Sequence, residues 1–237
     1  MWNDAVALRT FYSSCLGKVA RRMIVRRVRQ IWPNVHGMNL LGLGYATPLL
    51  SVFRSEAERV IAFMPAPQGV VHWPSDGGGL AALTDETSLP LPDCSIDRLL
   101  LVHALECAEN TRPMMRELWR VLADGGRMLV VVPNRRGLWA QFEHTPFGHG
   151  RPYSPGQLAQ SLTDTMFTPY QTATALFIPP VRSRMLLSAA PALEQIGQRW
   201  FAGIAGVIVA EAVKEIYAGH FTFSPAEAKA YAPVVRR

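Results

Sequence analysis

A strand-like run, Met38-Asn39-Leu40-Leu41, passes into Gly42-Leu43-Gly44 and then into Tyr45-Ala46-Thr47-Pro48, where a helix is set to begin. Two glycines one residue apart at such a junction constrain the fold strongly. Backbone that turns sharply and lies close against another group has no room for a Cβ. The pattern predicts a strand–turn–helix unit whose turn lies against a nucleotide-like ligand. It falls short of a dinucleotide fingerprint, because the glycine that Gly-x-Gly-x-x-Gly requires is replaced by Thr47.

The texture after Met38 extends this reading. Short β-rich runs at 38–42, 59–63, 80–84, 97–103 and 126–132 alternate with helical stretches at about 47–55 and 111–122. Strands separated by crossovers imply a parallel sheet with helices on both faces. Met128-Leu129-Val130-Val131-Val132 is apolar throughout, as a strand covered on both sides must be. Further on, Ser154-Pro155 opens a helix to about Leu162, two β-like runs span 172–178 and 206–211, and a helical stretch lies around 191–201. Residues 1–35 read as a basic helical extension, broken near Ser13-Ser14 and Gly17, 36–218 as the α/β domain, and 219–237 as a loosely held tail.

At 237 residues, 49% hydrophobic and 18% charged, the chain is long enough to bury a sizeable core. Its three cysteines are odd in number and lack Cys-x-x-Cys spacing, which points to a reducing cytoplasm and away from a disulfide framework or a zinc site. Trp2-Asn3-Asp4 is unlike a secretory leader, and no apolar run reaches the roughly 20 residues of a membrane span. The net charge of +6 is concentrated in Arg9, Lys18, Arg21, Arg22, Arg26, Arg27 and Arg29. Apolar residues from Leu8 to Ile31 recur at helical spacing, so these arginines form the outer face of a packed helix. Such a face suits a protein partner; without interleaved aromatics it is a poor nucleic-acid surface, although an RNA-modifying role stays open.

Two blocks carry the chemistry. Asp85-Glu86-Thr87-Ser88-Leu89-Pro90 follows the third strand, and Glu117-Leu118-Trp119-Arg120-Val121-Leu122-Ala123-Asp124-Gly125-Gly126 precedes the fifth. With the glycine turn, in this order and spacing, they resemble the Rossmann-like (class I) S-adenosylmethionine-dependent methyltransferases, in particular their small-molecule and quinone branch. The resemblance covers about residues 38 to 133. It implies a seven-stranded, mostly parallel α/β sheet whose last strand is antiparallel, with residues 206–211 the candidate for that strand.

The resemblance also assigns roles. Gly42, Gly44 and Tyr45 would lie against the cofactor, and Asp85, with Glu86 beside it, would meet the adenine amino group. His103, at the end of the fourth strand, reads either as a general base near the methyl donor or as a structural histidine, with Glu106 a weaker companion. The family's ribose-binding acid is matched here by Met64, whose thioether cannot replace a carboxylate, and Leu40 stands where the family has another acid. His72 or Trp73 could then hold the cofactor instead. Trp139, His144, His149 and Tyr153, in the Gly/Pro/His-rich stretch after Pro133, suggest an acceptor lid, and Tyr12 a cap over the cleft; the alternative for each is simple packing. The implied activity is methyl transfer to a small-molecule or lipid-like acceptor. The alternative is a methyltransferase fold without turnover that acts as a binding partner.

Overall fold

The computed structural model describes residues 2–181 and 183–215. Seven strands form one sheet in the order β3-β2-β1-β4-β5-β7-β6. They are β1 (Asn39–Gly44), β2 (Arg59–Pro65), β3 (Ala81–Thr84), β4 (Ile96–Val102), β5 (Leu122–Pro133), β6 (Thr168–Ala175) and β7 (Val207–Val213). β1 to β5 run parallel, and β7 is antiparallel to both β5 and β6. The run expected at 206–211 falls, from Val207 on, in the antiparallel strand β7, which lies between β5 and β6. Apolar side chains from alternate positions of the central strands build two cores, one on each face of the sheet.

The helices are α1 (Ala5–Ser13), α2 (Cys15–Ile31), α3 (Thr47–Leu50), α4 (Thr111–Val121), α5 (Pro155–Thr163), α6 (Arg184–Ser188) and α7 (Ala190–Trp200). The helix expected over about 47–55 is shorter: four α-helical residues pass into the 3-10 turn Ser51–Phe53. The β-like run placed at 172–178 starts earlier, at Thr168, because β6 is an edge strand whose exposed positions carry polar residues and so lack an apolar signature. The expected tail, 219–237, lies outside the described residues.

The break near Ser13-Ser14 is a helix–helix corner. Ser14 is extended, caps α2 by accepting from the Gly17 N–H, and donates its hydroxyl to the Phe11 carbonyl. A Cβ on Gly17 would stand 1.9 Å from the Phe11 carbonyl oxygen, so only glycine permits this elbow. The elbow aims Tyr12 at the carboxyl edge of the sheet.

α2 is tied to the sheet by a buried acid. Glu211 of β7 is fully buried and accepts from Trp32 Nε1 (2.9 Å), Gln171 Nε2 (2.7 Å) and Arg127 (3.3 Å). Without these partners the carboxylate could not stay buried and charged. Glu211→Ala, which orphans the Trp32 and Arg127 donors, is expected to lower stability by about 3 kcal/mol in urea denaturation. A loss below about 1 kcal/mol would show that the network is dispensable.

Candidate active site

The site lies at the carboxyl edge of β1 and β4, where crossovers leave a crevice in sheets of this kind. Gly44 pairs with Val102 and has φ 80°, and a Cβ there would stand 2.3 Å from the Val102 carbonyl oxygen. Gly42 is needed for a different reason, since its Cβ would collide with Leu50 and Ala46 where α3 packs on β1. The Cβ directions of both glycines point into protein, so what they leave open to a ligand is backbone alone. Tyr45 follows, donating its N–H to Val102 O and stacking on Tyr12 with ring centroids 5.8 Å apart.

His103 follows β4 directly in a left-handed conformation, φ 52°, and is wholly buried. Its Nε2 is hydrogen-bonded to the Tyr12 hydroxyl at 2.9 Å, and its Nδ1 lies 3.3 Å from Glu106 Oε1, too bent for a hydrogen bond. The carboxylate beside Nδ1 favours the ring proton there, which leaves Nε2 to accept from Tyr12. Burial, then the negative charge of Glu106, raises the Tyr12 pKa far above that of an ordinary phenol. Tyr45 is likewise pushed up to about 12 by burial. Both rings stay protonated at neutral pH.

Gln68, which no motif flagged, reaches the same point and donates from Nε2 to the His103 carbonyl. Its Oε1 and both Glu106 oxygens are buried without a hydrogen-bond partner among the described residues. Buried acceptors left open in this way await a donor.

Other expected residues are placed differently. Met64 is fully buried in the core and offers no acceptor. Asp85 is exposed, and its Oδ1 accepts from the Thr87 N–H and hydroxyl, which hold its pKa below the usual range. Glu86 is half-buried beside it. Trp139 does not belong to a lid: the ring is buried against Phe147 in the core, and its N–H donates to the Ile178 carbonyl. His144 and His149 are exposed and line a small pocket of about 130 Å³ against α1, with His144 Nε2 hydrogen-bonded to Pro180 O. Tyr153 is half-buried, its phenol raised by burial and by the Glu106 charge. Trp73 packs on Ser51 through its N–H, with Arg54 over its ring.

The two signature blocks prove to be one hydrogen-bonded unit. Glu117 Oε1 accepts from the Leu89 N–H at 2.7 Å, and Arg120 bonds Glu117, Asp93 and the carbonyls of Leu89 and Leu91. α4 thereby anchors the loop that carries Asp85.

Sheet order, the glycine edge and this anchored loop define a Rossmann-like methyltransferase domain. Residues 39–130 match the methyltransferase domain family, and the fold is that of the class I S-adenosylmethionine-dependent methyltransferases. Among solved structures, a chain of the complex between the Haloferax volcanii Trm112 methyltransferase activator and a methyltransferase superposes with a TM-score of 0.59 at 16% identity, covering 88% of this chain and 92% of that one. An S-adenosylmethionine-dependent methyltransferase from Archaeoglobus fulgidus gives 0.57 at 16% identity (86% and 96% covered). One from Thermotoga maritima gives 0.56 at 16% (84% and 92%). Identities this low speak for the fold alone. No curated protein matches the sequence.

S-adenosylmethionine is the cofactor of this class. The residues present fit its methionine end, whose ammonium group needs the acceptors that Glu106 and Gln68 leave open. At the ribose end, Met64 supplies none of the charge-assisted hydrogen bonds that a carboxylate would.

Arg120, hydrogen-bonded to Glu117, depresses the Glu117 pKa. A carboxylate depressed on folding stabilises the protein above its unfolded pKa of about 4.3, and that stabilisation is lost as the pH falls through the folded value. The stability gap between wild type and Glu117→Gln is therefore expected to be constant from about pH 7 to 5 and to shrink below about pH 4 in urea titrations. A gap undiminished at about pH 3 would remove the ion pair as its source.

Proposed function

We propose that this chain transfers a methyl group from S-adenosylmethionine to a small-molecule or lipid-like acceptor, with the acceptor's proton drawn off through Tyr12 to His103. The observation that carries the proposal is the buried line from the Tyr12 hydroxyl through His103 to Glu106, beside open acceptors at the carboxyl edge. When bound, the cofactor supplies a methyl group activated by its sulfonium. Glu106 and Gln68, whose buried oxygens have no hydrogen-bond partner among the described residues, would hold its ammonium group. Tyr12, kept protonated by burial, passes its proton to His103 Nε2 while taking the acceptor's proton on its oxygen, and Glu106 stabilises the resulting imidazolium. The cytoplasm is the proposed compartment, on the odd cysteine count; no helix among the described residues is long and apolar enough to cross a membrane.

A second reading has its own support. The chain itself fills the Cβ directions of Gly42 and Gly44, and Met64 stands in place of a ribose ligand. A fold of this kind would work as a binding partner through the arginine face of α2, and the Haloferax volcanii neighbour, from a complex with an activator, is a precedent for such assembly.

Isothermal titration with S-adenosylmethionine separates the two. Methyl transfer predicts saturable binding, about tenfold weaker in Glu106→Gln because a charged acceptor is lost. No heat at millimolar cofactor would sink the enzyme reading and leave the partner reading.

A further inference from the structure

A cleft of about 390 Å³ lies between α1, α3 and the β2–β3 connection, outside the buried edge just described. Three guanidinium groups line it, from Arg9, Arg21 and Arg54, and the one carboxylate in its walls is that of Asp76. Two positive charges are left uncompensated. The Arg9 guanidinium makes no hydrogen bond or ion pair with any described residue, and the Arg21 guanidinium uses only Nε, on the Pro48 carbonyl. Arg54 lies over the Trp73 ring and holds Asp76 at a long 3.4 Å, on an aspartate that is 80% exposed. The floor is the stacked pair Tyr12 and Tyr45, whose first member is hydrogen-bonded to His103.

We propose that this cleft binds a phosphoryl group and so anchors a soluble phosphoester as the methyl acceptor. Guanidinium forks match phosphoryl oxygens in shape, and the uncompensated charge matches a dianion. Three arginines with spare donors on the walls of one cleft are a binding arrangement, whereas Arg22 and Arg26 line a separate groove along α2 and do not reach this cleft. The Trp73 ring and the tyrosine floor give the rest of the ligand an apolar wall leading toward Tyr12. Naming that ligand the acceptor rests on the methyl-transfer reading, whereas the anion site stands on charge and geometry.

Phenyl phosphate is the probe, titrated calorimetrically into the full chain at low and moderate salt. Saturable binding that weakens with salt is expected, about tenfold poorer in Arg54→Gln or Arg9→Gln and abolished in the triple variant with Arg21→Gln. Arg22→Gln, which removes the same charge outside the cleft, should leave binding unchanged. Melting curves of each variant confirm folding. Cofactor titration should be the same in all of them, so a failure of the methyl-transfer reading shows separately. No binding at about 5 mM, or equal losses in Arg22→Gln and Arg54→Gln, would overturn the proposal. So would arginine-dependent sedimentation with phosphatidylglycerol vesicles in a protein that ignores phenyl phosphate, since the site would then serve a lipid headgroup.

Discussion

The site depends on how closely two neighbouring strands approach at their ends. Because Gly44 has no side chain, the Val102 carbonyl can sit where a Cβ would be and still accept the Tyr45 N–H. That contact sets the turn after β1 and the left-handed step at His103 together. Tyr45, stacked on Tyr12, and His103, bonded to Tyr12, are thereby brought to one aromatic cluster with Phe147 behind it. A larger residue at 44 would push the strands apart at the point where the polar line begins.

Around that edge the chain divides its charges by environment. Arg120 joins Glu117 and Asp93 near the surface, where it organises a loop through carbonyls as well as carboxylates. Glu211 is deep in the sheet and is fully served by donors from three elements. Glu106 is equally deep and has no hydrogen-bond donor among the described residues. One buried carboxylate is thus fully satisfied and the other left open beside His103, a difference that matters because a buried charge without its partners costs several kcal/mol.

Much of this was legible in the residues. Met128 to Val132 announced a central strand because both faces of β5 are covered, and the glycine turn announced the β1–α3 junction. The signature blocks were readable because the Leu89–Glu117–Arg120 contacts demand fixed residue types at fixed places. β6 was misplaced, since an edge strand exposed along much of its length loses the apolar alternation that marks strands. Trp139 was read as part of an acceptor lid, with packing as the alternative, because its Gly- and Pro-rich neighbours say nothing of the space behind the loop. Gln68 carried no signal, because its role comes from the Pro65–Gly69 turn folding back onto β4. Arg9, Arg21 and Arg54 are 45 residues apart end to end in sequence and converge only once α1 is turned by its elbow.

That elbow has a consequence for how the molecule moves. Nine residues of isolated helix are too few to persist in water, so α1 holds its shape only while docked. Tyr12 is part of that docking, and it is also the cover over His103 and Glu106. Undocking of α1 would flood a buried imidazole and carboxylate with water, while docking dries them. The dryness of His103 is thus tied to the order of the first helix, because the Tyr12 that bonds it belongs to α1.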